Sequence, residues 1–264
     1  MTNKLAIIGN GVVGQTFAKL LSQQPQYQVA LGARAQGNMQ SAVQGADIVL
    51  LTVTDSAIEN VCAELASSFK SNAVVAHCSG ALSSEILQTH SGPTASMHPL
   101  QTFPNVEAAL PKVKGTYAYC EGDDEALPVI KTLAEALGMQ TVEIASKEKP
   151  LYHAAAVMAC NNLTALMESA LQLGEAANIQ RDTLWASLKP LIETTLSNID
   201  AQGTAAALTG PVARGDANTV QSHLNAMSAS EAVSATVTQN YKALGQQAAE
   251  LAGLQDQPVN DLLN

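Results

Sequence analysis

Aromatic side chains are scarce in this 264-residue chain: three Phe, five Tyr and one Trp, 3% of the whole. Surfaces that stack unpaired bases are built from such rings, so a base-reading protein is not expected. Positive charge is scarce as well. Thirteen Lys and Arg stand against 23 Asp and Glu, giving a formal net charge of −10 and a pI near 4.8. Nucleic acid and anionic membrane surfaces both call for a basic footprint, so neither is an expected partner. Charged residues in total reach only 14%, too few for a coiled coil or a solvated charged rod. The four cysteines, Cys62, Cys78, Cys120 and Cys160, form no Cys-x-x-Cys pair. They fit buried thiols in a reducing cytoplasm better than a zinc site or a disulfide framework. No His-x-x-x-His or carboxylate cluster suggests a metal. Apolar runs stay well below the roughly 18 residues of a membrane span. Residues 1–9 lack the apolar core and cleavage site of a signal peptide. A cytoplasmic protein is the expectation.

Apolar residues make up 47% of the chain, enough for a substantial core. Short apolar runs recur at residues 5–8, 28–31, 47–53, 73–77, 94–97, 116–120 and 140–144. Amphipathic stretches at 12–22, 56–69 and 125–137 lie between them. Continuous runs such as Ile48-Val49-Leu50-Leu51 suit strands covered on both faces. The alternation predicts an α/β domain over residues 1–146, a doubly wound and mainly parallel sheet. Residues 146–150 form a polar hinge, with Pro150 suited to the first turn of a helix. The segment 151–177 is apolar nearly all round and reads as one long buried helix. Further helices are expected at 182–199, with a start or kink at Pro190, at 219–227 and at 231–252. An all-α domain over 147–264 follows, with a loose tail after Gly253.

Gly9-Asn10-Gly11-Val12-Val13-Gly14 is a Gly-x-Gly-x-x-Gly between a predicted strand and a predicted helix. In that context Gly9 permits the tight turn, Gly11 lets the backbone approach a pyrophosphate, and Gly14 lets helix and strand pack closely. The free N–H groups of the helix N-terminus then face the phosphates. Gly9 to Gly14 are therefore the candidate cofactor loop, with Thr54, after the third strand, and Ser79, after the fourth, as further candidate contacts. The second strand ends in Leu31-Gly32-Ala33-Arg34, and no Asp or Glu precedes Asp47. A site that prefers NAD usually has a carboxylate there for the ribose 2′-OH. A guanidinium suits a 2′-phosphate instead, so NADP (NADPH) is the expected cofactor and Arg34 its 2′-phosphate ligand.

Further strings carry a family resemblance: His77-Cys78-Ser79-Gly80-Ala81-Leu82, Ser96-Met97-His98-Pro99-Leu100-Gln101-Thr102-Phe103, Tyr152-His153-Ala154-Ala155-Ala156 and Leu208-Thr209-Gly210-Pro211-Val212-Ala213-Arg214-Gly215-Asp216. With the glycine loop, they make the chain resemble Rossmann-like oxidoreductases whose helical C-terminal domain has no assigned function. That group is similar to deazaflavin-dependent NADP oxidoreductases and pyrroline-5-carboxylate reductases, and more distantly to 6-phosphogluconate and β-hydroxyacid dehydrogenases. The resemblance implies a nicotinamide cofactor, a small-molecule substrate in a cleft between the domains, and a homodimer built through the helical domain. The β-hydroxyacid dehydrogenases carry a lysine four residues before an asparagine on the interdomain helix. Here Val157 and Met158 stand four before Asn161 and Asn162, so that lysine mechanism does not transfer.

Hydride transfer to a carbonyl or imine needs a proton donor, and histidine suits this near neutral pH. His77 and His98 fall at carboxyl ends of predicted strands, the edge that faces the ligand in an open α/β sheet. His153 falls in the first turn of the long helix. His98 and His153 are the candidate catalytic pair; His77, Asn161 and Arg214 are candidate substrate-cleft residues. At 100° per residue, His153, Asn161, Thr164 and Glu168 share one side of an apolar helix. The expected function is an NADP(H)-dependent oxidoreductase moving a hydride to or from a small carbonyl, imine or hydroxy compound. The alternatives are a non-catalytic NADP(H)-binding regulator, motivated by the missing lysine, and a deazaflavin:NADP oxidoreductase.

Overall fold

The computed structural model describes residues 2–264. The chain divides into two compact units, one ending at Val157 and the other Met158–Asn264. In the first, seven strands form one sheet: β1 (Asn3–Ile8), β2 (Tyr27–Gly32), β3 (Ile48–Leu51), β4 (Val74–His77), β5 (Thr94–Pro99), β6 (Tyr117–Gly122) and β7 (Gln140–Glu143). Their order is β2-β1-β3-β4-β5-β6-β7. Every pairing is parallel except β5 with β6, where His98 stands opposite Tyr119. All seven apolar runs became strands.

Six helices belong to this unit: α1 (Val12–Leu21), α2 (Met39–Val43), α3 (Ile58–Leu65), α4 (Val106–Val113), α5 (Leu127–Ala136) and α6 (Lys149–Val157). Both faces of the sheet are covered, and β1 shows why its run is unbroken. Leu5 and Ile7 join Phe17, Leu21, Leu50, Ile130 and Leu133 on one side. Ala6 and Ile8 join Met39, Val43, Val49, Leu51, Ile58 and Leu65 on the other. Burying a side chain of this size contributes about 1.5–3 kcal/mol, so a polar residue on either face would be costly. The strand order reverses between β1 and β3, and the carboxyl ends of those strands make the crevice where doubly wound sheets bind ligands.

The boundary falls later than residue 146 because α6 packs onto the sheet through its first turn rather than opening the second unit. Leu151 is 73% exposed and Met158 56%, so the expected buried helix is not buried within the chain. It is also not one regular helix: a π-helical turn over Met158–Asn162 separates α6 from α7 (Leu163–Ala176).

The second unit continues with α8 (Arg181–Ala207), α9 (Ala217–Ala229), α10 (Ala235–Leu251) and α11 (Pro258–Asp261). The helix α8 starts ahead of Pro190 and runs through it; its break is at Gly203, where φ is +79°. Asn178, at φ +61°, caps the end of α7 in the left-handed conformation that Asn tolerates. The tail is not loose. Val259 and Leu263 are buried with Val220, and Leu263 packs against Gly245, where a side chain would collide with it at 2.7 Å.

Candidate functional site

The glycine loop leaves β1 at the reversal point and enters α1. Gly9 has φ +127°, and a Cβ there would lie 2.7 Å from the Thr52 carbonyl oxygen. Thr52 closes the turn by donating its hydroxyl to the Gly9 carbonyl at 3.1 Å. A Cβ on Gly14 would stand 1.9 Å from the Gly9 carbonyl oxygen, whereas one on Gly11 would meet nothing within 4 Å. Gly9 and Gly14 are thus glycines for packing, and Gly11 is a glycine with open space before it. Gly11 is the N-cap of α1, with no side chain capping the helix and no acidic residue in its first turn. The free N–H groups therefore face open space at the positive end of the helix dipole, which suits a dinucleotide pyrophosphate. Asn10 is exposed, Val12 and Val13 are half-buried, and the Asn10 carbonyl accepts from the Gln15 amide at 2.8 Å.

Arg34 opens a short 3₁₀ turn just after β2, as the sequence reading required. Its guanidinium is 67% exposed and pairs with the Glu64 carboxylate at the end of α3. The carboxylate missing from the strand end is thus supplied from elsewhere in the chain, on the guanidinium rather than in place of it. Thr54 is exposed and leads into the 3₁₀ turn Asp55–Ala57.

Beyond β4 the turn is built on side-chain bonds. Ser79 donates its hydroxyl to Asp55 Oδ2 at 2.7 Å and accepts from the Leu82 and Ala81 N–H groups at 3.1 and 3.3 Å. The Ser79 hydroxyl is therefore spent within the turn, and the exposed carboxylate of Asp55 is what this pair offers outward. His77 does not reach a cleft. It is fully buried; its Nδ1 accepts from the Ser79 N–H at 3.1 Å, so Nε2 donates to the Ser83 carbonyl at 3.2 Å. Burial, and then the charge of Lys149, push its pKa down to about 4. His77 shapes the turn as a neutral ring.

Beneath the same turn lies an ion pair that sequence reading missed. Lys149, in the polar hinge, is buried. Its Nζ donates to the Ser79 carbonyl at 3.1 Å and to the Ser96 hydroxyl, and it lies 3.5 Å from Glu121. Glu121 accepts from the Ser84 N–H at 2.8 Å and from the Ser84 and Ser146 hydroxyls at 2.9 Å. Burial alone would raise the Glu121 carboxyl, but the surrounding serine hydroxyls and the Lys149 charge hold it below its ordinary value. Burial pulls the Lys149 ammonium down, and Glu121 opposes this. The one available signal was Glu121 itself, a lone carboxylate beside the run Thr116–Cys120: a charge there needs a buried partner.

Lys149, Tyr152 and His153 share a face of α6 by their three- and four-residue spacing. Tyr152 and His153 accordingly reach His98. His98 Nδ1 lies 2.7 Å from the Tyr152 hydroxyl, and the His98 and His153 rings cross edge to face with centroids 5.6 Å apart. Both rings press on Gly80: a Cβ there would stand 2.5 Å from His153 Nδ1 and 2.9 Å from His98 Nε2. His153 Nδ1 is buried without a hydrogen-bond partner, an orphan that normally marks a group awaiting a ligand or water. Burial, then the neighbouring His153 and Lys149, hold His98 down to about 4. The expectation of a histidine titrating near neutrality therefore fails for His98, which is a neutral imidazole there. The structure brings His98 and His153 together; Tyr152 and Gly80, which the sequence marked only as parts of longer strings, and Asp55, which it did not mark, are their neighbours.

Asn161 and Arg214 belong to the helical unit, and both are exposed. Asn161 lies in the π-turn, so the 100° count that grouped it with His153 does not hold across that turn. Thr164 donates to the Cys160 carbonyl at 3.1 Å, and Glu168 pairs with Arg181. The first is a contact within the helix, and the second ties α7 to the start of α8. Arg214 sits in the turn between Gly210 (φ +97°) and Gly215 (φ +68°). Among the described residues no group of three or more His, Cys, Asp or Glu is placed to hold a metal. No described helix is long and apolar enough to cross a membrane.

No curated protein matches the chain. Among solved structures it is similar to a Bacteroides fragilis protein described as a candidate NADP oxidoreductase, at 22% identity and a TM-score of 0.75 over 94% of this chain and 98% of that one. It is similar to a Thermotoga maritima protein at 26% identity and a TM-score of 0.73, over 96% and 100%. It is also similar to the Plasmodium falciparum pyrroline carboxylate reductase solved with NADP bound, at 13% identity and a TM-score of 0.60, over 95% and 98%. Residues 11–101 match the Rossmann-like domain, in agreement with the strand order and the glycine turn. Residues 116–248 match the model of a domain of unknown function, DUF2520; the match spans half of the chain, and the chain belongs to that family.

Proposed function

We propose that the chain is an NADP(H)-dependent oxidoreductase that moves a hydride to or from a small carbonyl, imine or hydroxy compound. The observation that carries this reading is the open space at Gly11 before the uncapped N-terminus of α1, on the sheet edge that also bears His98. Backbone N–H groups of residues 10–14 hold the pyrophosphate, and Arg34 binds the 2′-phosphate. The NADP bound to the Plasmodium reductase supports the choice of nucleotide. When bound, the nicotinamide supplies or accepts the hydride. Thr54 and the Asp55–Ser79 pair line its approach.

Hydride arriving at a carbonyl carbon leaves negative charge on the oxygen, and that oxygen must gain a proton or a hydrogen bond. His98, neutral, presents an N–H to it. His153, whose Nδ1 has no internal partner, takes a proton from solvent water and gives it to that oxygen in the reducing direction, and the reverse in oxidation. The four unpaired thiols suit the cytoplasmic setting read from the sequence. A homodimer through the helical unit is part of the same reading, supported by apolar side chains left exposed on α8, Leu191 at 62% and Leu196 at 54%.

Fluorescence titration with NADPH and NADH, followed by NADPH oxidation with pooled carbonyls and imines, tests the reading. Tight NADPH binding and turnover with at least one pool are expected. No binding of either nucleotide sinks it. Binding with no turnover in any pool replaces it with a cofactor-binding regulator.

A further inference from the structure

We propose that Tyr152 is a positioning residue that fixes the tautomer of His98. Its hydroxyl donates to His98 Nδ1, so the ring carries its proton on Nε2 and presents that N–H beside the Gly80 turn. The two groups are 2.7 Å apart, and either atom can donate in principle. Two facts choose the direction. A phenol is a better donor than a neutral imidazole N–H, and an imidazole nitrogen a better acceptor than a phenol oxygen. The Tyr152 hydroxyl also has no other hydrogen-bond partner among the described residues. If His98 donated from Nδ1, the phenol proton would have no protein acceptor among the described residues.

The geometry around the pair is fixed from three sides. The Tyr152 ring lies against the Tyr119 ring with centroids 4.1 Å apart and a tilt of 31°, and Tyr119 is the residue opposite His98 in the β5–β6 ladder. Lys149, one turn earlier on α6, is locked to Ser79, Ser96 and Glu121. Gly80, without a side chain, lets both histidine rings close to within 3 Å of where its Cβ would stand. The titratable groups facing His98 are His153, Lys149 and Tyr152 on α6, Asp55 beyond β3 and Tyr119 on β6. Burial opposes protonation of the ring most, His153 and Lys149 add to it, and Asp55 favours it; the balance lies with the neutral ring. The ring is thus a neutral donor with one proton, and Tyr152 decides which nitrogen carries it.

That His98 Nε2–H meets a substrate oxygen rests on the oxidoreductase reading; the tautomer does not. Long-range ¹H–¹⁵N spectra of the full-length protein with ¹⁵N-labelled histidine, with His98 assigned by loss of its signals in His98→Asn, read the tautomer directly. A bare Nδ1 and a protonated Nε2 are expected at neutral pH, with no titration until well below the ordinary histidine range. Tyr152→Phe should mix the two tautomers, leave NADPH affinity within about twofold, and lower kcat by roughly tenfold with little change in KM. A wild-type spectrum with the proton on Nδ1, or Tyr152→Phe leaving both His98 nitrogen shifts unchanged, overturns the proposal. If the variant does not fold, the wild-type spectrum still decides. A confirmed tautomer in a protein that turns over no substrate upholds this inference and removes the oxidoreductase reading.

Discussion

Lys149 Nζ and Glu121 Oε1 stand 3.5 Å apart, with 1% and 4% of their side chains exposed. The lysine sits at the N-terminal end of α6, where a cation opposes the helix dipole, so helix stability does not explain it. What it joins is the Ser79 turn, β5 and β6, the three segments around His98.

Breaking this pair from one side should be expensive. Lys149→Met leaves the Glu121 carboxylate buried and uncompensated, and a loss of about 3–5 kcal/mol is expected. The double variant Lys149→Met/Glu121→Leu should cost less than the two single losses added together, by more than about 1 kcal/mol. Urea unfolding of the three variants measures this; strict additivity would show that the pair is not coupled.

Gly11 and Gly14 should separate binding from folding. Gly14→Ala drives a methyl group into the Gly9 carbonyl and should destabilise the protein by at least about 1–3 kcal/mol. Gly11→Ala meets open space at φ −75° and should cost less than about 1 kcal/mol, yet weaken NADPH binding at least about tenfold. Thermal unfolding and nucleotide titration report the two quantities. Full affinity in Gly11→Ala would place the phosphates elsewhere.

Arg34 should set the preference for NADPH, and Glu64 should temper it. A hydrogen bond to a charged group contributes about 1.5–3 kcal/mol, so wild type should favour NADPH over NADH by at least about tenfold. Arg34→Ala should remove that preference and leave NADH binding nearly unchanged. Glu64→Gln should strengthen NADPH binding, because it frees the guanidinium and removes a carboxylate beside the incoming phosphate. The preference should weaken as salt rises. Dissociation constants for both nucleotides decide it, and equal wild-type affinities would assign Arg34 to Glu64 alone.

Acid should destabilise the first unit through His77. Its folded pKa, about 4, lies below the ordinary value of 6.5, so between these values the unfolded chain binds the extra proton. Stability is then fully present above pH 6.5 and falls as pH drops toward 4. From pH 7.5 to pH 5 the loss from this ring alone is about 2 kcal/mol. His77→Gln should flatten the dependence of urea unfolding on pH across that window; an unchanged slope would mean that other groups carry it.

The helical unit should hold two copies together. Light scattering at micromolar concentration should give a dimer mass, and Leu191→Asp with Leu196→Asp should shift it toward monomer. A monomeric wild type removes the homodimer from the proposal.

The sequence by itself determined the seven strands, the glycine turn and the change to helices, because each depends on local signals. A run apolar on both sides can only be covered on both faces. A glycine between strand and helix can take the backbone angle that other residues resist. Arg34 was also legible, since the second strand has a known end and the residue there is read directly. The tertiary structure decided what those residues touch. Glu64 reached Arg34 from a helix thirty positions on, and Lys149, in a polar hinge, reached a buried carboxylate on β6. His77 and His98, similar in sequence as histidines near strand ends, were divided by packing. One spends both nitrogens on the turn, while the other meets Tyr152 and His153 from α6. Such pairings join residues from thirty or so to more than fifty positions apart along the chain, where no periodicity or spacing constrains them. Burial then converts a contact into a protonation state, which no sequence window contains.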